Sequence, residues 1–267
     1  LTSHKGDDFA AICSAFNDIG YHYGAFVVDA ALFLPQSRPR LFIIGVRNDI
    51  SVGDMTSQLP SKIWHTRTLL NAYSNLDSEV KSNWVWWDLP MPAQRKSVFA
   101  DLIEENPSSV KWHTRKETQQ LMDMMTDVNL AKVEAAKKLS VTSGKKVVGT
   151  IYKRTRTDNF GIKAQRAEVR FDDVAGCLRT PGGGSSRQVI MVVDKGAVKT
   201  RLISSRETAR LMGLPDEYIL PKNYNEAYHL TGDGVVVPVV SYIATHIFDP
   251  VMECVFEDSA GLLKQIA

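Results

Sequence analysis

The run Ala25-Phe26-Val27-Val28-Asp29-Ala30-Ala31, followed after Pro35-Gln36-Ser37-Arg38-Pro39-Arg40 by Leu41-Phe42-Ile43-Ile44-Gly45-Val46, decides the fold class. Both apolar runs are short, continuous and rich in β-branched residues, as strands buried on both faces are. Upstream, Phe9, Ile12, Phe16 and Ile19 recur at three- and four-residue spacing, so residues 8–19 read as an amphipathic helix that Gly20 ends. Helix, strand, strand with only a short polar interval predicts an α/β sheet that finishes with an antiparallel pair.

Outward from that core the pattern changes. Residues 48–83 have weak periodicity and many Ser, Asp and Asn, which predicts a linker or a poorly regular crossing. In Trp84-Val85-Trp86-Trp87-Asp88-Leu89-Pro90, Trp84 and Trp86 share one side of an extended chain, and tryptophans this dense are read as filling a core. Residues 114–139 predict two helices broken near 127–129, with Leu121, Met125, Leu130, Val133 and Ala136 on the apolar side. Strands are expected at 147–152, 166–171, 188–193 and 198–202, with Asp194-Lys195-Gly196 as a hairpin turn. Ser204 and Glu207 fit a capping box before a helix that Gly213 and Pro215 stop. Thr231-Gly232-Asp233-Gly234 is expected at the start of a buried, nearly all-apolar helix through residues 235–244.

The composition excludes several classes. At 267 residues, with 44% hydrophobic and 23% charged, the chain is neither collagen-like nor a disordered tail. No apolar run is read as reaching the roughly 18–20 residues of a membrane helix, so no membrane partner is expected. Cys13, Cys177 and Cys254 are widely spaced, which excludes a disulfide scaffold and argues against a metal site. They fit a reducing, cytoplasmic setting. Net charge is only +2, but it is unevenly spread: residues 144–170 carry Lys145, Lys146, Lys153, Arg154, Arg156, Lys163, Arg166 and Arg170 against Asp158 and Glu168. Such local excess is the footprint of a polyanion-binding face or of a solvated basic surface.

Three places could carry chemistry. Gln36, Arg38 and Arg40 alternate, so an extended chain projects them to one side, where two guanidiniums and an amide can hold a phosphate and a base edge. In Cys177-Leu178-Arg179-Thr180-Pro181-Gly182-Gly183-Gly184-Ser185-Ser186-Arg187-Gln188, three glycines permit close backbone approach and the polar side chains supply donors suited to base edges. Thr231–Gly234 could offer free N–H groups to a polar ligand. Each also has a plain structural reading: surface arginines in salt bridges, a hairpin loop and an ordinary helix cap.

Taken in order, these stretches resemble the C-terminal half of a DNA (cytosine-5) methyltransferase. Gln36-Ser37-Arg38-Pro39-Arg40 resembles the family's Gln-x-Arg-x-Arg motif. Arg206-Glu207-Thr208-Ala209-Arg210-Leu211-Met212-Gly213-Leu214-Pro215-Asp216-Glu217-Tyr218 resembles its penultimate motif. Gly232-Asp233-Gly234-Val235 resembles the last one, with Asp233 where Asn is usual. The Pro-Cys-Gln, Glu-Asn-Val and Phe-x-Gly-x-Gly motifs of the family do not occur in the 267 residues. Leu1 opens where the family has just passed Glu-Asn-Val, so a fragment is expected, inactive until joined by an N-terminal catalytic half.

The resemblance implies an α/β fold: the C-terminal portion of a Rossmann-like methyltransferase domain (residues 1–50), a smaller β-rich target-recognition domain (60–200), and helices packing back on the catalytic part (201–267). It implies S-adenosylmethionine as cofactor, with Asp233, Gly234 and Val235 completing its pocket, and double-stranded DNA as partner. A cysteine of the other half would attack carbon 6 of a flipped cytosine, and carbon 5 would take the methyl. Arg40 would contact the cytosine O2, with Gln36 and Arg38 holding the flipped nucleotide or its backbone. Arg154, Arg156, Arg179, Thr180, Gly182, Gly183, Gly184, Ser185, Ser186, Arg187 and Gln188 are expected at the DNA, and Arg206 is expected to brace the recognition domain. The rival readings are a non-catalytic DNA-binding remnant or specificity subunit, and part of an RNA cytosine methyltransferase.

Overall fold

The structure is a computed structural model that describes residues 1–157, 161–178 and 187–256. The chain forms two compact units. One comprises residues 1–29, 39–93 and the chain from Pro238 onward; the other comprises 30–38 and 94–237.

The first unit is built on α1 (Asp7–Asp18), β1 (Tyr21–Asp29) and β2 (Pro39–Arg47), the last two antiparallel from Tyr21↔Arg47 to Asp29↔Pro39. This is the expected helix–strand–strand unit. Phe9 and Cys13 of α1 pack with Tyr23, Ala25, Leu69 and Leu76. Burying side chains of this size contributes on the order of 1.5–3 kcal/mol each. The segment expected to be irregular is more ordered than its composition suggests. It contains β3 (Thr56–Ser57), α2 (Arg67–Ser74) and α3 (Ser78–Lys81), and β3 pairs with β4 (Trp86–Trp87). The hydroxyl of Thr66 accepts the Leu69 N–H at 3.3 Å and starts α2. Eight residues with only Leu69 buried leave too little periodicity to read. Trp64 and Trp87 are fully buried, whereas Trp84 and Trp86 are half-buried and pack on Tyr73, Trp84 tilted at 5.0 Å and Trp86 edge-on at 4.7 Å. Gly24 is fixed by this packing, because a Cβ there would lie 2.0 Å from the Val85 carbonyl.

The second unit is a four-stranded antiparallel sheet in the order β6-β5-β7-β8, formed by β5 (Val147–Thr157), β6 (Lys163–Arg170), β7 (Val189–Asp194) and β8 (Ala197–Leu202). The β7–β8 turn places Lys195 and Gly196 at φ 48° and 78°, as a tight hairpin needs. Helices α4 (Arg115–Asp123) and α5 (Asp127–Ser143) and the turn between them lay Leu121, Met125, Val133 and Ala136 on one sheet face, against Ile151, Val169, Met191 and Val193. Helices α6 (Ser205–Leu211) and α7 (Tyr224–Asp233) complete the unit. The expected boundaries therefore differ from the packing: residues 60–93 belong with the first unit, and 201–237 with the second.

Two readings of the last third are corrected. Residues 231–233 end α7 rather than begin the next helix, because the Gly234 N–H closes α7 onto the Leu230 carbonyl at 3.1 Å. The apolar helix begins afterwards, with α8 (Val237–Ile243) and a π-helical turn at Ala244–Phe248. Within Tyr224–Phe256 an 18-residue window has mean hydropathy 1.6 and is 28% buried, so a stretch apolar and long enough to cross a membrane is present after all. Residues 234–236 are not helical and separate its two parts.

Candidate functional site

Gln36 and Arg38 are interior residues, 0% and 3% exposed, whereas Arg40 is exposed. The segment enters the second unit as an isolated parallel bridge to Ala175, whose N–H donates to the Pro35 carbonyl and whose carbonyl accepts the Ser37 N–H, at 2.7 and 2.8 Å. The Gln36 amide then donates to the Leu211 carbonyl at 3.1 Å. Arg38 Nη1 donates to the Leu178 carbonyl at 2.9 Å, and Nη2 to the carbonyls of Gly232 and Gly234 at 2.7 and 2.8 Å.

Those last acceptors have a physical reason. The final carbonyls of a helix have no partner within it and sit at the negative end of its dipole, so a guanidinium bound there is stabilised. Arg38 thus clamps the end of α7 to the chain at Leu178, and three sequence-remote stretches meet at one side chain. The sequence expectation put Gln36, Arg38 and Arg40 on one side, facing a nucleotide. Instead the first two are held by main-chain carbonyls, and Arg40 alone of the three is exposed, donating to the Pro39 carbonyl at 2.9 Å.

Asp233 is exposed, Gly234 is half-buried and Val235 is 49% exposed, so this end of the clamp presents a carboxylate beside an apolar side chain. The groups expected to be free N–H donors here are carbonyls, and Arg38 takes two of them.

Of the residues expected at nucleic acid, Arg179, Thr180, Gly182, Gly183, Gly184, Ser185 and Ser186 lie outside the described residues. Gln188 is 6% exposed, and in the amide orientation that satisfies both groups it pairs with Gly176 N–H and C=O at 3.1 and 3.2 Å. It is an internal brace in this arrangement. Arg187 donates to Asn225 Oδ1 and lies over the Tyr224 ring at 5.6 Å, tying the chain just ahead of β7 to α7. Arg154 and Arg156 are different: both are more than half exposed and share a single carboxylate, Glu168.

Arg206 donates to the carbonyls of Pro215 and Tyr218 at 3.1 and 2.9 Å, so it closes the turn after its own helix rather than bracing the sheet. The brace is a pair that sequence reading missed. Arg201 and Glu207 are both 0% exposed and form a bidentate ion pair at 2.6 and 2.8 Å. Arg201 also donates to the Glu104 carbonyl at 2.9 Å and stacks on Trp112 at 4.8 Å. The signal was present in the capping box: Glu207 accepts the Ser204 N–H at 2.7 Å while Ser204 Oγ accepts the Glu207 N–H at 3.1 Å. A glutamate pinned in that way can serve a second, buried donor.

Among the cysteines, Cys13 is fully buried, and burial pushes its thiol up to about 12, so it is protonated at neutral pH. No group of three or more His, Cys, Asp or Glu side chains suited to a metal ion occurs among the described residues.

The comparisons with known proteins agree with this ordered set of motifs. The family model for C-5 cytosine-specific DNA methylase matches residues 1–249, and the chain belongs to that family. The methyl donor of the family is S-adenosylmethionine. The chain is 22% identical over 250 residues to Type II methyltransferase M.HhaI of Haemophilus parahaemolyticus, covering 92% of this chain and 60% of that protein. It is 25% identical over 249 residues to Type II methyltransferase M.MthTI of Methanothermobacter thermautotrophicus, covering 90% and 60%. It therefore spans about 60% of the length of these relatives. The solved S. pombe Dnmt2 methyltransferase is similar at 15% identity and a TM-score of 0.45, over 89% of this chain and 61% of that one.

Proposed function

We propose that this chain is the target-recognition and substrate-positioning part of a DNA (cytosine-5) methyltransferase. Methyl transfer would require an N-terminal half that carries the Pro-Cys-Gln motif, and the site of action is cytoplasmic. The observation that carries this reading is the Arg38 clamp, which joins the Gln-x-Arg-x-Arg segment to the Gly232–Gly234 turn and to the start of the glycine-rich loop. A clamp made of main-chain carbonyls holds these segments irrespective of the DNA sequence recognised.

Within that frame Arg40 is the catalytic residue of this chain. Its exposed guanidinium supplies a fixed positive charge to a cytosine ring that gains negative charge on attack at carbon 6. Gln36 and Arg38 hold their own segment through the Leu211, Leu178, Gly232 and Gly234 carbonyls. S-adenosylmethionine supplies the methyl group. The exposed carboxylate of Asp233 beside exposed Val235 suits a ligand that carries a cation next to an apolar body, so Asp233, Gly234 and Val235 form the C-terminal wall of its pocket. Arg154 and Arg156 of the β5–β6 hairpin face the duplex. Arg179, Thr180, Gly182, Gly183, Gly184, Ser185 and Ser186, which lie outside the described residues, stay part of the proposed DNA contact on sequence grounds.

The test is methyl transfer from labelled S-adenosylmethionine to duplex DNA, with the chain alone and mixed with a separately expressed N-terminal half. Activity in the mixture only is the expected result. Activity of the chain alone overturns the division of labour. A folded chain that stays silent in both, beside a competent partner half, points to a non-catalytic DNA-binding remnant or specificity subunit.

A further inference from the structure

The β5–β6 hairpin carries more positive charge than it neutralises. Its register sets Arg154 directly opposite Arg166, and Tyr152 opposite Glu168. Directly opposed residues share a face, and like charges so placed destabilise a sheet. Glu168 answers part of this: Arg156 Nε donates to its Oε1 at 2.6 Å, and Arg154 Nε lies 3.6 Å from its Oε2. Arg166 is half-buried and has no hydrogen-bond or ion-pair partner among the described residues. Two guanidiniums therefore share one carboxylate, and the third has no anion of its own among the described residues.

A cavity of about 230 Å3 opens beside them, lined by Thr126, Asn129, Arg156, Thr157, Arg166 and Glu168 among others. It is smaller than the roughly 300 Å3 at which pockets for whole drug-sized ligands begin. Its floor is fixed. Asn129 accepts the Val169 N–H at 3.1 Å and donates to the Thr126 hydroxyl at 3.1 Å, which leaves the hydroxyl proton available.

We propose that this cavity is a seat for one phosphate group, in which Arg166 and Arg156 grip the oxygens and Glu168 is the anion that phosphate displaces. Thr126 adds a neutral donor. A planar guanidinium suits paired phosphate oxygens, and a half-buried one with no acceptor among the described residues is partly desolvated for the contact. The proposal rests on the recognition role above, since the expected source of the phosphate is a DNA backbone. Free phosphate has the same chemistry.

The experiment is phenylglyoxal modification of Arg166 in the whole chain, read by peptide mass spectrometry, with inorganic phosphate or a short random-sequence duplex as protectant. Protection by both, with the duplex effective at far lower concentration, is expected. Protection by phosphate alone keeps the seat but removes the recognition reading. Protection by neither overturns the seat, whatever the methyl-transfer assay shows. Duplex anisotropy gives a second readout. Arg166→Gln should weaken binding roughly tenfold for all sequences alike and make the salt slope shallower by about one. Glu168→Gln should tighten it. An unchanged affinity and slope in a folded Arg166→Gln protein also overturns the proposal.

Discussion

Two groups of arginines in the second unit differ in what they bind. Arg38 and Arg201 are at most 3% exposed, and their terminal guanidinium nitrogens are held by main-chain carbonyls or by a buried carboxylate. Arg154 and Arg156 are more than half exposed and divide one half-buried glutamate between them. Motif arginines are easily taken for ligand contacts. The comparison shows that acceptor type separates the two uses. Carbonyls fixed by the fold hold an arginine permanently, whereas a half-buried carboxylate shared by two exposed guanidiniums can be exchanged for an incoming anion.

The sharpest way to break this contrast is Arg38→Ala. It leaves the Leu178, Gly232 and Gly234 carbonyls without their donor and should cost about 4 kcal/mol, in the range found when a buried charge network loses a partner. Thermal unfolding should shift down by about 10 °C. Arg38→Lys should recover little, since one ammonium cannot span acceptors that the planar fork reaches.

Next in size is Glu207→Gln, which strands the buried Arg201 charge and should cost about 3 kcal/mol in a denaturant titration. If it proved neutral, Arg201 would not belong with Arg38. Ser204→Ala removes one half of the capping box and should cost about 1 kcal/mol by the same measurement.

A smaller effect follows pH. Burial holds the imidazoles of His65 and His113 below the ordinary value of 6.5. The folded state therefore favours their neutral forms, and the unfolded chain binds more protons. Their contribution is fully present above pH 6.5 and is lost as pH falls through their lowered values. Urea midpoints should decline from pH 7.5 to 5.5, and His113→Phe should flatten part of that decline.

Smallest of all, Arg156→Ala should leave stability unchanged within about 0.5 kcal/mol, because exposed ion pairs contribute little. A large loss there would erase the distinction between the two groups.

The hydrophobic periods carried much of the architecture. The 3.6-residue spacing of Phe9, Ile12 and Phe16 corresponds to α1, and the β-branched runs correspond to β1, β2, β5 and β7. The capping box and the Lys195-Gly196 turn were equally legible, since each is complete within a few residues. The helix α2 was not, because it buries a single leucine in eight residues. Thr231–Gly234 was placed at the wrong end of a helix because the same small, polar residues serve both ends, and only the Leu230 carbonyl distinguishes them.

The sequence by itself determined the order of elements, the family motifs and the excess of positive charge between residues 144 and 170, since these are properties of composition and local spacing. Only the tertiary structure decided which arginines are interior. The acceptors of Arg38 lie 140 to 196 residues further along the chain. No local pattern records a carbonyl that distant, and burial of a charge is settled by the acceptors that folding delivers to it.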